Sequence, residues 1–172
     1  KTAEMSKLME NTFRAVNIAY INEIALMCDK LGISVWEVIR ASASKPFGFM
    51  PFYPGPGIGG HCIPVDPEYL AWKMRTVGYE TRFIRLAHAV NTEMADHTVN
   101  LVIRALNRHR KALNGARVLA LGVTYKPDVA DVRESPSDPV IRKLLAMGAD
   151  LVYHDPLAPT YRLHNGQVLT GL

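Results

Sequence analysis

One of the chain's two cysteines, Cys62, stands in the segment GPGIGGHCIPVDP (55–67), where glycines surround a thiol. Glycine permits backbone conformations closed to other residues and lets a ligand approach the main chain closely. Asp66 followed by Pro67 has the form of a helix start, with Asp66 as N-cap and Pro67 at the first helical position. Cys62 then lies just ahead of a helix N-terminus, whose partial positive charge favours an anionic sulfur. Two readings of the thiol stand side by side here: a nucleophile, or a buried structural cysteine. Asp66 likewise either caps the helix or orients and deprotonates a water, and a cap uses only one of its oxygens. His61 is next to Cys62, but neighbouring residues in an extended loop point in opposite directions, which argues against it as the base.

Three further places carry chemically useful side chains. Lys7 and Asn11 are spaced i, i+4, so they share one helix face. Lys126 and Arg133 lie in a polar stretch after an apolar run, where basic residues beyond the end of a parallel strand can meet phosphates. Solvated surface charge is the alternative for both pairs. The loop residues Pro51, Phe52, Tyr53, Pro54 and Gly55 precede the glycines around Cys62. The chain has no GxGxxG, Walker-type loop, HExxH or paired-cysteine zinc motif, and no metal site is expected.

The elements that must position these residues follow from spacing. From about residue 3 to residue 31 there is no Pro or Gly, and Met5, Leu8, Met9, Phe13, Val16, Tyr20, Ile24, Met27 and Leu31 recur at helical intervals. A helix of about 29 residues is about 43 Å long. It is apolar over much of its circumference, as a helix central to its domain or buried against a symmetry mate would be. Gly32 ends it, and Ser34 with Glu37 has capping-box spacing for a short second helix. Residues 45–67 are rich in Pro and Gly, a long loop of the kind that is usually functional. Helices are expected over 66–77, 81–113 and 139–147, and RVLALGV (117–123) reads as a fully buried strand, with a second strand in ADLVYHDP (149–156). Strand, loop, helix and strand imply a βαβ unit. The expected boundary therefore lies near Asn114: a helical domain over 1–113, and the start of an α/β domain over 114–172. The chain begins without Met and stops soon after the second strand of a new unit, so it reads as a piece of a longer protein.

The chain has 172 residues, 48% hydrophobic and 21% charged, with a formal net charge of +4. That is globular composition, enough for one large domain or two small ones. Its basic residues are dispersed apart from Arg104, Arg108, Arg110 and Lys111, which argues against a nucleic-acid partner. No apolar run approaches the roughly 20 residues of a membrane span. Two cysteines make no disulfide framework. Cys28, inside a helical pattern, reads as a small buried apolar residue, and a reducing cytoplasm suits both thiols.

In order and spacing, SKLMENTFRAVNIAYINEIALMCDKLG (6–32), GPGIGGHCIPVDP (55–67) and LGVTYKPDVADVRESPS (121–137) resemble the UDP-glucose/GDP-mannose dehydrogenase family. The likeness runs from about Thr2 to Pro156, and HCIPVDP with PGPGIGG looks more like the branch acting on UDP-N-acetylhexosamines. The resemblance implies an all-α central dimerisation domain built on a long helix, followed by the start of an α/β Rossmann-like domain that binds the nucleotide. A separate N-terminal NAD domain is expected to be absent from these residues. It implies NAD as cofactor, a UDP-sugar as substrate, and a homodimer formed through the first helix. It also implies oxidation of the sugar C6 alcohol to the acid, with Cys62 as nucleophile and Lys7 and Asn11 stabilising charge on oxygen. Asp66 would activate the hydrolytic water, Lys126 would contact the nucleotide sugar, and Arg133 the NAD. The backbone of Pro51–Gly55 and Gly59 would cradle the sugar. One departure stands out: the family's cross-subunit Arg ahead of the glycines is replaced by the stretch Lys45-Pro46-Phe47-Gly48, leaving Lys45 as a point charge. The UDP-sugar is a UDP-N-acetylhexosamine or UDP-glucose, and the competing expectations are a GDP-sugar substrate, a reaction that stops at the aldehyde, or a piece that acts only as a dimerisation scaffold.

Overall fold

The computed structural model describes all residues 1–172. The chain forms two compact units, one of residues 1–58 and 62–94, the other of residues 59–61 and 95–172.

The first unit is helical. Helix α1 spans Thr2–Leu31, α2 Val35–Ala43 and α3 Cys62–Arg75, and the unit takes in the beginning of α4, Arg82–Arg108. Helix α1 ends as Gly32 predicts: Gly32 adopts φ 69°, its N–H reaches the Asp29 carbonyl, and the Ile33 N–H reaches the Cys28 carbonyl at 3.0 Å. This paired closure satisfies carbonyls that the helix end would otherwise leave open, and the left-handed residue suits glycine. Ser34 caps α2 as expected, its Oγ accepting from the Glu37 N–H at 3.4 Å.

On α1 the buried residues Asn11, Ala15, Ala19 and Asn22 recur at steps of four, four and three, forming one face. The two alanines let neighbouring backbones come close, and α3 packs along α1 with Ala71 buried. On α4, Ile84, Ala87, Asn91 and Met94 form the matching buried stripe. Other faces of α1 leave Met5, Met9, Phe13, Tyr20 and Met27 about half exposed or more.

The second unit contains β1 (Arg117–Leu121), α5 (Ser137–Ala146) and β2 (Asp150–His154). The strands pair in parallel, from Arg117↔Asp150 to Leu121↔His154. Parallel neighbours need a crossover, and α5 supplies it. The expected βαβ arrangement is therefore present. Beyond it lies an antiparallel pair that the sequence reading missed, β3 (Thr160–Arg162) with β4 (Val168–Thr170). The core gathers Val99, Val123, Ile141, Leu144, Leu151, Tyr153, Tyr161 and Leu163.

The expectation of a fully buried first strand is corrected. Strand β1 stops at Leu121, and its residues alternate: Val118 and Ala120 pack against the core, while Leu119 and Leu121 are 53% and 78% exposed. The core residues Ile141 and Leu144 of α5 cover one face of the sheet, and the other is left open.

Asp155, just after β2, ties the turn after β1 in place. Its Oδ2 accepts the N–H groups of Val123 and Thr124, each at 2.9 Å, and its Oδ1 accepts that of Leu157 at 2.9 Å. Burial pushes this carboxyl up, but the Thr124, Leu157 and Val123 N–H groups outweigh it and hold its pKa at about 2. A folded-state value below the unfolded one (about 3.9) means that the contribution is fully present above that pH and is lost as pH falls toward 2. Asp155→Ala should therefore destabilise the protein by on the order of 3 kcal/mol at pH 7. It should also flatten the loss of stability between pH 4 and pH 2, which urea unfolding followed by circular dichroism across that range will test.

Candidate active site

The first unit joins two helix faces through a buried amide. The Asn11 side chain, fully buried on α1, donates from Nδ2 to Asp66 Oδ2 on α3 at 2.5 Å. Lys7 precedes Asn11 by one turn on α1, and Cys62 precedes Asp66 by one turn on α3. The hydrogen bond therefore links the faces on which Lys7 and Cys62 also stand. Lys7 and Cys62 are both exposed. A fifth polar side chain, missed from sequence, completes the group: Arg14 donates from Nη2 to Asn11 Oδ1 at 2.5 Å. Its position three residues after Asn11 on the same helix was the available signal.

The structure corrects the expected helix start. Helix α3 begins at Cys62 rather than at Pro67, so Asp66 is not its N-cap, and Pro67 lies inside the helix. The turn into the helix is made earlier, at Gly60, whose φ is 84°. Pro64, still in the first turn, costs the helix nothing, while Pro67 has no N–H to offer the Ile63 carbonyl. Cys62 is thus the first helical residue, and Asp66 is left free to accept from Asn11.

The loop ahead of the glycines lies along the same unit. Phe52 meets Phe13 edge to face with centroids 5.8 Å apart, and Tyr53 stacks on Trp36 at 6.3 Å. The Gly55 N–H donates to Asn22 Oδ1 at 3.0 Å. Asn22 Nδ2 donates to Asn91 Oδ1 at 2.9 Å, and Asn91 Nδ2 to the Ala15 carbonyl at 3.1 Å. Pro51 and Lys45 are exposed, and Pro54 is half-buried. Phe13, Tyr20, Phe49, Met50 and Phe52 line an open apolar cleft of about 510 Å³.

In the second unit, Gly59 and Gly60 pack on the polar segment after β1. A Cβ on Gly59 would come within 2.6 Å of Pro136 Cδ and 2.8 Å of Tyr125 Cβ, and one on Gly60 within 2.9 Å of the Tyr125 ring. Close packing alone thus accounts for both glycines. Lys126 is exposed. Arg133 clasps Asp131, donating from its backbone N at 3.0 Å, from Nε at 2.9 Å and from Nη2 at 2.8 Å. That guanidinium holds the Asp131 carboxyl far below the usual carboxylate range. Asp128 and Glu134 in the same segment have φ of 60° and 50°, a strained backbone of the kind that clusters at ligand clamps. No group of three His, Cys, Asp or Glu side chains is placed to hold a metal ion, and no helix is long and apolar enough to cross a membrane.

A helical unit carrying these side chains, continuing into a parallel βαβ unit, has the fold of a dehydrogenase. The chain belongs to the UDP-glucose/GDP-mannose dehydrogenase family: residues 1–93 match its central domain and residues 119–170 its UDP binding domain. It is 41% identical over 157 residues to the UDP-N-acetyl-D-mannosamine dehydrogenase of Methanococcus maripaludis, covering 91% of this chain and 35% of that protein. It is 38% identical to the UDP-N-acetyl-D-glucosamine 6-dehydrogenase of Pseudomonas aeruginosa, covering 91% and 36%. Among solved structures, the UDP-D-ManNAc dehydrogenase of Pyrococcus horikoshii matches with a TM-score of 0.83 and 35% identity, covering 91% of this chain and 36% of that one. These relatives are consistent with the UDP-N-acetylhexosamine branch. The chain spans about a third of the length of the curated relatives it matches.

The packing at Gly60 sets a direct expectation. Gly60→Ala must take a left-handed conformation and also press on Tyr125, so it should destabilise the protein by roughly 1–3 kcal/mol. A fall in the urea midpoint will register this, and an unchanged midpoint would show that the segment relaxes freely.

Proposed function

We propose that this chain is the cysteine-bearing part of an NAD-dependent nucleotide-sugar 6-dehydrogenase that converts the C6 alcohol of a UDP-N-acetylhexosamine to the acid in the cytoplasm. In this reading residues 1–113 are the catalytic and dimer-forming domain, and residues 114–172 begin a Rossmann-like domain for the nucleotide sugar. The observation that carries it is the Asn11–Asp66 hydrogen bond, which couples the helix faces of Lys7 and Cys62.

The chemistry follows from what each side chain can do. Arg14 and Asp66 engage one end each of the Asn11 amide, and its second N–H would reach a substrate oxygen only as the buried side chain is uncovered on sugar binding. With Lys7, that N–H stabilises negative charge on oxygen as the alcohol loses its proton and C6 gives up a hydride, which leaves the aldehyde. The Cys62 sulfur adds to the carbonyl carbon of the resulting aldehyde while the carbonyl oxygen takes up a proton, forming a thiohemiacetal. Removal of a hydride from that carbon and a proton from its oxygen gives a thioester. Water held by the second Asp66 oxygen attacks the thioester, the carbon–sulfur bond breaks, and the thiol regains its proton as the acid leaves. Covalent capture divides the oxidation into accessible steps and holds the reactive aldehyde.

Pro51–Gly55 and Gly59 would cradle the sugar through backbone groups, and Lys126 would meet the nucleotide sugar as a point charge. Arg133 fits a single phosphate contact with NAD, since it is exposed and its Nη1 takes no part in the fork to Asp131. The first turn of α5 carries the carboxylate of Asp138 and offers no pyrophosphate cradle. NAD, when bound, supplies the hydride acceptor for both oxidations.

Exposed Met5, Met9 and Phe13 on α1 support a homodimer through that helix, since apolar side chains along a helix favour burial against a second copy.

Two measurements on the full-length protein test these readings. Cys62→Ser should lower acid formation roughly 10³-fold or more, whereas the unaltered enzyme should release two NADH per sugar; undiminished acid from the variant would sink the mechanism. Met9→Glu should shift sedimentation from dimer toward monomer, and a dimer indifferent to that charge would move the interface elsewhere.

A further inference from the structure

Asparagine is a poor resident of a helix interior, because its side chain competes for backbone partners. Asn22 nevertheless sits fully buried in the middle of α1, and Asn91 on α4 is 7% exposed. Neither bonds within its own helix. Together they form a chain of three hydrogen bonds with a single sense of donation, from the Gly55 N–H to Asn22, from Asn22 to Asn91, and from Asn91 to the Ala15 carbonyl. Donors and acceptors at both ends fix which way each amide faces. Between Pro46 and Ile58, the bond from Gly55 to Asn22 is the only hydrogen bond the loop makes within this chain. The loop's other anchors are aromatic contacts, Phe52 on Phe13 and Tyr53 on Trp36. Those restrain side chains, while the Asn22 bond restrains the backbone.

We propose that Asn22 and Asn91 act as a pair of positioning residues, holding the Gly55 backbone so that the Pro51–Gly55 loop is set for the nucleotide sugar before it binds. This rests on the reading that the loop cradles the sugar. A binding loop fixed in advance spends less of its contact energy on ordering itself. Asn91 acts through Asn22: its Oδ1 takes one Asn22 N–H and thereby keeps Asn22 Oδ1 turned toward Gly55. Neither residue touches the sugar, so their effect belongs in binding rather than in the chemistry at Cys62.

The test uses Asn22→Ala, Asn91→Ala and the double variant in the full-length enzyme, with UDP-N-acetylglucosamine and UDP-N-acetylmannosamine as probes. Asn22→Ala should raise KM about tenfold or more with kcat changed much less, and the rate of Cys62 alkylation by iodoacetamide should stay within about twofold of the unaltered protein. Asn91→Ala, which leaves the Gly55 bond in place, should raise KM less, and the double variant should match Asn22→Ala rather than add to it. If Asn22→Ala does not fold, the milder Asn91→Ala carries the same comparison of KM with alkylation rate. An unchanged KM overturns the proposal. So does a KM rise accompanied by an equal change in Cys62 reactivity, which would mean a general loosening of the unit, or full additivity of the two substitutions. Cys62→Ser run in parallel separates the cases: retained acid formation there defeats the catalytic reading, whereas lost acid formation with an unmoved KM in Asn22→Ala defeats only this inference.

Discussion

A buried amide must find partners, and α1 buries two of them. Asn11 and Asn22 lie on the same face of a 30-residue helix, both with no solvent exposure. Leaving either unpaired would cost on the order of 1–3 kcal/mol, so the structure around them is arranged to meet them. Asp66 of α3 meets Asn11, and the Gly55 backbone and Asn91 meet Asn22. The small residues between them, Ala15 and Ala19, allow the approach that these bonds require. One helix face thus sets the place of α3, of the loop and of the first part of α4. The residues with chemical capacity are carried by the same pieces that satisfy the amides.

The glycines around Cys62 serve a different constraint. Gly59 and Gly60 have no room for a Cβ against Tyr125 and Pro136, and Gly60 also needs its left-handed turn. The turn starts α3 at Cys62, which puts the thiol at the first helical residue and Asp66 one turn further along the same face. Asp66 therefore lies within α3 rather than at its end, and its Oδ2 accepts from Asn11.

Much of this was legible in the residues, and the failures have physical reasons. Gly32, Ser34 with Glu37, and the βαβ alternation were readable because each is a local rule: a left-handed stop, a cap spacing, a parallel crossover. The start of α3 was misread because Asp66-Pro67 has the same local form inside a helix as at its beginning. Only the conformation of Gly60 distinguishes the two. Strand β1 was expected to be buried from its run of apolar residues, yet apolar type does not say which faces are covered, and Leu119 and Leu121 stand open. The β3–β4 pair escaped because its strands are three residues long, too short for an alternation such as Thr-Tyr-Arg to stand out. Lys7, Asn11, Cys62 and Asp66 were singled out through helical spacing and family resemblance. Asn22 and Asn91 were not, because their hydrogen bonds join residues 33 and 69 apart in sequence, and Arg14 was passed over although it lies three residues from Asn11 on the same helix.

The two units pin their loops by the same device and differ in charge. In the first, a neutral amide accepts one backbone N–H, from Gly55. In the second, a carboxylate accepts three, from Val123, Thr124 and Leu157. An amide holds its loop equally at any pH, because it does not titrate. A carboxylate binds N–H groups more strongly, since charge-assisted bonds are roughly twice as strong as neutral ones, but the hold lasts only while the group is ionised. The loop placed by the amide is the one assigned here to the sugar, where small displacements matter most. The turn placed by Asp155 carries the polar segment of Lys126 and Arg133, whose partners would be phosphates, and long basic side chains tolerate some movement of their backbone. Under the proposed roles, precision without pH dependence falls where geometry is most demanding, and strength falls where charge would do the recognising.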